Sequence, residues 1–490
     1  MLKKKSIGTL LASLLGVMAL AGTANAAPIV DRDTGDLTVH KFEQPVEWGP
    51  DTNGKPLPAD ELAKLKPMEG VVFEIQQVNP VNLKENEDWL KADTLIKDFQ
   101  ALTATEQIAW TPPTGYTLGN AQTATTDAQG SAEFAGIPIG LYLVTEKSAP
   151  AVEGKAITKA LPFLVTVPLT DVATGDNWFY DVNVYPKNII TGVEKEIVDI
   201  DAYGVGDTVQ YTFYGDIPGG EPAAKYVLWD QLDSKLEYVN DSAKVKFGST
   251  TATVTTDYTV DYTGGKVTIT LTEAGRLAAY NALKADNTAK VVVTIDATVM
   301  SGIDGCVPNK VTLEFENKPG YETEVESKPV DTCWGGLKIF KHDTDGSSSP
   351  LAGAVFEIWG SHTDDFATAT KVTVDGVDNW TTGADGKLTV SGLRYSDHAN
   401  NVSPAPAGGY NYYWVKEIKA PEGYLLQAEP IPFTVDTEVA NAPVIDVPNT
   451  PDKALPKTGA EGILPILIIG AGLLGAGVFF TRRTAAKKEN

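Results

Sequence analysis

Only two cysteines and four histidines occur in these 490 residues, which leaves little material for metal or nucleophilic chemistry. His40, His342, His362 and His398 are scattered along the chain, without nucleophile-elbow or metal-ligand spacing. With Cys306 and Cys333 as the sole thiols, a zinc site lacks ligands, and Asp343-x-Asp345-Gly346 is too short for a calcium loop. The expectation is therefore a protein that is not an enzyme, with no metal and no cofactor. Positive charge is also scarce: 40 basic against 64 acidic residues give a net charge of −24. Such a surface repels nucleic acid, so no nucleic-acid partner is expected. Long apolar runs are missing from the interior of the chain and stand only at its two ends.

Those ends have different characters. Lys3, Lys4 and Lys5 precede an apolar run from Ile7 to about Ala21, and Ala24-Asn25-Ala26 offers the small residues of a signal-peptidase site. This predicts a signal peptide over 1–26 and a mature chain from Ala27. Near the other end, 462–480 carries no charge and is long enough to cross a bilayer. Arg482, Arg483, Lys487 and Lys488 follow it, which places that end in the cytoplasm. In an exported chain the two cysteines pair, and a Cys306–Cys333 disulfide closes a loop worth about 3 kcal/mol in the chain-entropy model.

Between the ends the chain is rich in Thr, Val, Tyr and Gly. Short alternating stretches such as Lys266-Val267-Thr268-Ile269-Thr270-Leu271 are punctuated by turn residues, the pattern of all-β antiparallel sandwiches. A repeat sets the boundaries. Leu37-x-Val39-x-Lys41 recurs as Leu337-x-Ile339-x-Lys341, and Gly70-Val71-Val72-Phe73-Glu74-Ile75 as Gly353-Ala354-Val355-Phe356-Glu357-Ile358. Tyr142-x-Val144-x-Glu146-x-x-Ala149-Pro150 recurs as Tyr413-x-Val415-x-Glu417-x-x-Ala420-Pro421. The first and last domains thus share a fold, and the first carries an insertion between Lys41 and Gly70 with one or two helical turns at 59–66. The middle block lacks these landmarks and reads as a second sandwich subtype, helical only at 273–285.

Three motifs carry a resemblance. Leu455-Pro456-Lys457-Thr458-Gly459, directly before the apolar span and basic tail, resembles the cell-wall sorting signal that sortase transpeptidases cut between threonine and glycine. Trp178-x-x-x-Val182-x-Val184-Tyr185-Pro186-Lys187 resembles the pilin motif, whose lysine accepts that threonine. Tyr413–Tyr424 resembles the E-box. Together they resemble the SpaA-like major pilins of Gram-positive bacteria, of an actinobacterial kind. The resemblance implies three tandem immunoglobulin-like sandwiches: a CnaB-like domain at 27–187, a CnaA-like domain at 188–334 and a CnaB-like domain at 335–450. The sorting signal, membrane span and basic tail would occupy 451–490. It also implies a wall-anchored pilus shaft in which Thr458 joins Lys187 of the next subunit. The partners would be neighbouring pilins, a class C pilus sortase, a housekeeping sortase, a peptidoglycan precursor, accessory pilins and a host receptor. The competing readings are a monomeric wall-anchored adhesin, which needs no Lys187, and a minor pilin.

The same resemblance implies Lys–Asn isopeptide bonds inside the sandwiches. These require a neutral amine, an amide and a protonated acid together in an apolar core, where desolvation favours both neutral forms. The last domain offers Lys341 and Asn449 with Glu417 as acid, and the middle domain Lys195 and Asn309 with Asp230. The first domain has Lys41 and Glu146 in matching places. Aligning Tyr185-Pro186-Lys187 with Val447-Pro448-Asn449, however, puts Lys187 where the asparagine belongs. Asn183 and Asn188 stand close by but not at the aligned position, so the expectation is no cross-link there, with Lys41 either paired to Glu146 or turned outward.

Overall fold

The computed structural model describes residues 30–47, 54–170, 178–344 and 349–452. The expected signal peptide, sorting signal and membrane span, with Leu455, Pro456, Lys457, Thr458 and Gly459, lie outside these residues. Among the described residues no helix is long and apolar enough to cross a membrane. The structure is all-β in character, built from several sheets with few helices. By contacts it divides into two compact units. One runs to Ile197 and takes in Gln210–Ala297 and Pro308–Val330. The other holds Val198–Val209, Thr298–Val307 and the chain from Asp331.

The first unit opens with a sandwich. Strand Thr34–His40 lies between Asp181–Val184, to which it is parallel, and Ser131–Pro138, to which it is antiparallel. Its alternating residues Leu37 and Val39 are fully buried, as the period of two requires. The facing sheet pairs Val72–Asn79 with Gly140–Ser148, and the latter with Phe163–Val167. Leu37, Val39, Phe73, Ile75, Tyr142, Val144, Val165, Val182 and Val184 fill the space between the sheets.

The expected short helix in the insertion is Ala59–Leu62. A longer helix, Asn86–Gln100, was not expected and lies on the outer face of the second sheet. Ala92, Leu95, Ile96 and Phe99 form its buried stripe, packed on Leu141, Leu143 and Leu164. A second short helix, Ala104–Ile108, starts at a capping box of Thr103 with Glu106.

The chain then runs through one long strand, Lys187–Val198, out of this sandwich and into the middle one. There Lys225–Gln231 pairs with Lys266–Leu271 on one side and Thr312–Glu316 on the other. Thr312–Glu316 continues as a hairpin to Glu322–Glu326. The helix Glu273–Ala285 coincides with the expected one and is N-capped by Thr272.

The second unit repeats the first sandwich's plan. Val330–Asp343 runs parallel to Val444–Asn449 and antiparallel to Lys387–Arg394. Val355–Ser361 pairs with Tyr412–Lys419 in the facing sheet. The disulfide Cys306–Cys333 closes within this unit.

Candidate functional sites: three buried Lys–Asn–acid triads and an edge lysine

In the last sandwich, Lys341 follows the inward-facing Leu337 and Ile339 in phase and is itself fully buried. Its Nζ donates to Asn449 Oδ1 and lies 3.2 Å from Glu417 Oε1. Asn449 Nδ2 donates to the same Glu417 oxygen at 3.0 Å, and the other oxygen accepts the Gln427 N–H at 2.7 Å. Burial outweighs the attraction of Glu417 and lowers the Lys341 pKa to about 8.

In the middle sandwich, Lys195 Nζ donates to Asp230 Oδ2 at 2.6 Å and to the Lys310 carbonyl at 3.2 Å. Asn309 Nδ2 reaches the same Asp230 oxygen at 3.2 Å. The rings of Tyr211 and Phe213 cover the amine at 4.4 and 5.0 Å. Burial lowers the Lys195 pKa to about 8 and raises that of Asp230. Asp230 Oδ1 is buried without a hydrogen-bond partner, a setting that disfavours a carboxylate and suits a protonated acid.

The first sandwich holds a third triad, which corrects the expectation that no asparagine faces Lys41. Lys41 is fully buried, and its Nζ donates to Glu146 Oε2 at 2.8 Å and to Asn188 Oδ1 at 2.5 Å. Asn188 Nδ2 donates to Glu146 Oε1 at 2.6 Å. Burial again takes the amine to about 8. The reason for the correction is register. Phe42 and Glu43 pair with Lys187 and Asn188, while in the last sandwich Asp343 pairs with Asn449. Counting from each lysine, Asn188 and Asn449 are equivalent, and Lys187 takes the place of Pro448. Matching proline to proline slips the alignment by one residue. The inward phase of Val182 and Val184 continues to 186 and 188, a signal present in the sequence.

Lys187 therefore lies on the opposite face of its strand from Asn188. Its Nζ donates to the Tyr185 carbonyl at 3.2 Å, and partial burial lowers its pKa. The preceding motif residues are anchored one by one. Val182 and Val184 are core residues, and Tyr185 stacks on His40 with ring centroids 4.6 Å apart. The Tyr185 hydroxyl accepts the Leu57 N–H at 2.8 Å. Trp178 stacks on Trp89 of the unexpected helix at 4.7 Å. Pro186 adjoins the lysine and its carbonyl accepts the Phe42 N–H.

Comparison with known proteins matches three family models in sequence. These are the N-terminal domain D1 of Gram-positive pilin subunits at 32–189, the Sgo0707 N2 domain at 195–330 and a prealbumin-like fold domain at 335–448. The chain is 32% identical over 538 residues to the type 1 fimbrial subunit of Actinomyces viscosus, covering 97% of this chain and 96% of that one. It is 30% identical to the type 2 fimbrial subunit of Actinomyces naeslundii, covering 99% and 96%. The chain belongs to the Gram-positive pilin family. The full-length major pilin SpaD of Corynebacterium diphtheriae superposes with a TM-score of 0.68 at 29% identity, covering 86% of this chain and 98% of that one.

For a pilin, the arrangement separates two kinds of lysine. Lys41, Lys195 and Lys341 are sealed beside an amide and an acid within one chain. Lys187 stands one residue from Asn188 but on the other face, at the end of the motif that resembles a sortase acceptor.

Proposed function

We propose that this pilin is the shaft subunit of a covalent surface pilus. A pilus sortase cuts between Thr458 and Gly459 and holds the Thr458 carbonyl as a thioester. The Lys187 amine of another copy attacks that carbonyl, forming the amide, releasing the sortase thiol and giving up one proton. Repetition of this head-to-tail contact, which does not close on itself, produces a filament. The last subunit is passed by a housekeeping sortase to an amine of a peptidoglycan precursor, which anchors the pilus to the wall. The observation that carries the reading is the half-sequestered Lys187 just after the anchored motif strand Asp181–Val184, at the start of Lys187–Val198. Its lowered pKa leaves more of the nucleophilic neutral amine near neutral pH than a solvated lysine offers.

Each buried triad is read as an autocatalytic cross-link site. The lysine passes a proton to the carboxylate, and the neutral Nζ attacks the asparagine Cγ. The Nζ–Cγ bond forms and Nζ gives up its second proton to the acid, the Cγ–Nδ2 bond breaks as Nδ2 takes one proton from it, and ammonia leaves with the acid holding the remaining proton. Fixed proximity supplies much of the acceleration. The mature chain then loses three ammonia molecules, one per sandwich.

Co-expression with its pilus sortase tests the shaft role. A high-mass ladder on denaturing electrophoresis that disappears with Lys187→Ala supports it. A ladder unchanged by Lys187→Ala overturns the acceptor assignment, and monomer alone supports the single-molecule adhesin instead.

A further inference from the structure

The first triad differs from the last in where its backbone donor points. The Ala160 N–H donates to Asn188 Oδ1 at 2.8 Å and to Glu146 Oε2 at 3.0 Å. Oδ1 is the atom that gains negative charge when Lys41 attacks the amide carbon. A fixed N–H at hydrogen-bond distance from that oxygen acts as an oxyanion donor, since it stabilises charge that develops in the transition state. In the last sandwich the corresponding backbone donor, Gln427 N–H, goes to the acid Glu417.

Ala160 follows the short strand Lys155–Thr158, which pairs antiparallel with Lys187–Val198 through Thr158 and Ile189. Its far side is held by the middle sandwich. The Tyr321 hydroxyl donates to the Lys159 carbonyl at 3.1 Å, and Thr323 Oγ1 lies 2.7 Å from Thr158 Oγ1. Tyr321 and Thr323 belong to the hairpin joining Thr312–Glu316 to Glu322–Glu326. The same hairpin turn touches the first sandwich again where Thr105 Oγ1 donates to the Gly320 carbonyl at 3.0 Å. Tyr321 is close enough to Glu146 for that carboxylate, after burial, to raise its phenol pKa.

We infer that the Ala160 N–H is the oxyanion donor for the Lys41–Asn188 cross-link, and that Tyr321 and Thr323 of the middle sandwich are the positioning residues that hold it in place. The inference rests on the reading of Lys41, Glu146 and Asn188 as a cross-link site. It makes maturation of the first sandwich conditional on docking of the middle one. The acceptor Lys187, adjacent to Asn188, would then sit on a cross-linked strand only in a chain whose first two sandwiches have assembled.

The test follows ammonia loss by intact and fragment mass in the pulse-labelled, sortase-free exported chain. Ala160→Pro removes the N–H and is expected to slow the first-domain cross-link about 100-fold, the low end for loss of one oxyanion donor. Ala160→Gly keeps the N–H and is expected to remain within about threefold of wild type, by the same account of the donor. Tyr321→Phe combined with Thr323→Val, which keep bulk and remove both hydroxyls, is expected to slow it several-fold. Cross-linking at Lys195 and Lys341 in the same molecules reports that the rest of the chain has folded. Wild-type rates in both Ala160→Pro and the Tyr321/Thr323 double variant overturn this inference alone. A wild-type chain that never forms the first-domain bond overturns the triad reading and this inference with it. Equal slowing by Ala160→Gly and Ala160→Pro assigns the effect to packing and also overturns the donor role.

Discussion

The first and last sandwiches place a lysine, a glutamate and an asparagine in the same register, yet one strand position separates their uses. After Val447 the last sandwich has Pro448 and then Asn449; at the equivalent places the first has Lys187 and then Asn188. A proline cannot donate to a ladder and suits a strand about to leave its sheet. A lysine there gives the first sandwich an amine on the face opposite the core. On the proposed function, strand periodicity would let two successive residues serve two acyl-transfer reactions, Asn188 within the chain and Lys187 between chains. On the same proposal the last sandwich would need only the inner one, because its outgoing chain leads to the segment that resembles a sorting signal.

The comparison is broken most directly at the acids. Glu417→Ala is expected to abolish one ammonia loss and destabilise the last sandwich by about 5 kcal/mol, the chain-entropy value for a closed loop of roughly 100 residues. Glu146→Ala should do the same to the first sandwich alone. Differential calorimetry with intact mass checks both, and loss of both bonds in either variant would contradict independent triads. Cys306→Ser opens a shorter loop in the second unit, with an expected loss of about 3 kcal/mol and no change in ammonia losses. Trp89→Ala removes the stacking partner of Trp178 and should cost the first sandwich about 2 kcal/mol, reducing polymer yield without touching the last sandwich.

A smaller effect sharpens the distinction between free and bonded lysine. In Asn449→Ala the Lys341 amine stays free beside Glu417. Its folded pKa of about 8 lies below the ordinary 10.5, so the unfolded chain binds more protons between those values. Stability of the variant therefore rises as pH increases from about 8 to about 10.5, and is flat below that window. With Lys341 converted to an amide as proposed, the wild type is expected to lack this rise. Denaturant titrations across the window check the sign.

Much of this was legible in the sequence because the repeat records side-chain phase. Leu37, Val39 and Lys41 alternate with the same period as Leu337, Ile339 and Lys341, so inward lysines could be recognised before any coordinates. Lys341, Asn449 and Glu417 come together in the structure as expected, as do Lys195 and Asn309 around Asp230. Asn188 is visible in the sequence close to the aligned position but falls one place off when proline is matched to proline; strand phase, not residue identity, sets the register. The helix Asn86–Gln100 was missed because it is an insertion absent from the repeat; its Ala92, Leu95, Ile96 and Phe99 spacing was the available signal. The contacts of Tyr321 and Thr323 with the first sandwich had no local signature, since they join residues more than 160 positions apart.

One measurement reads both reactions on adjacent residues: tandem mass spectrometry of the protease-digested polymer around 187–188. The account predicts a branched fragment in which Lys187 carries the Thr458 carbonyl of another copy while Asn188 is joined to Lys41 with loss of ammonia. A polymer in which Thr458 is attached to any other lysine, with Lys187 unmodified, would contradict the account.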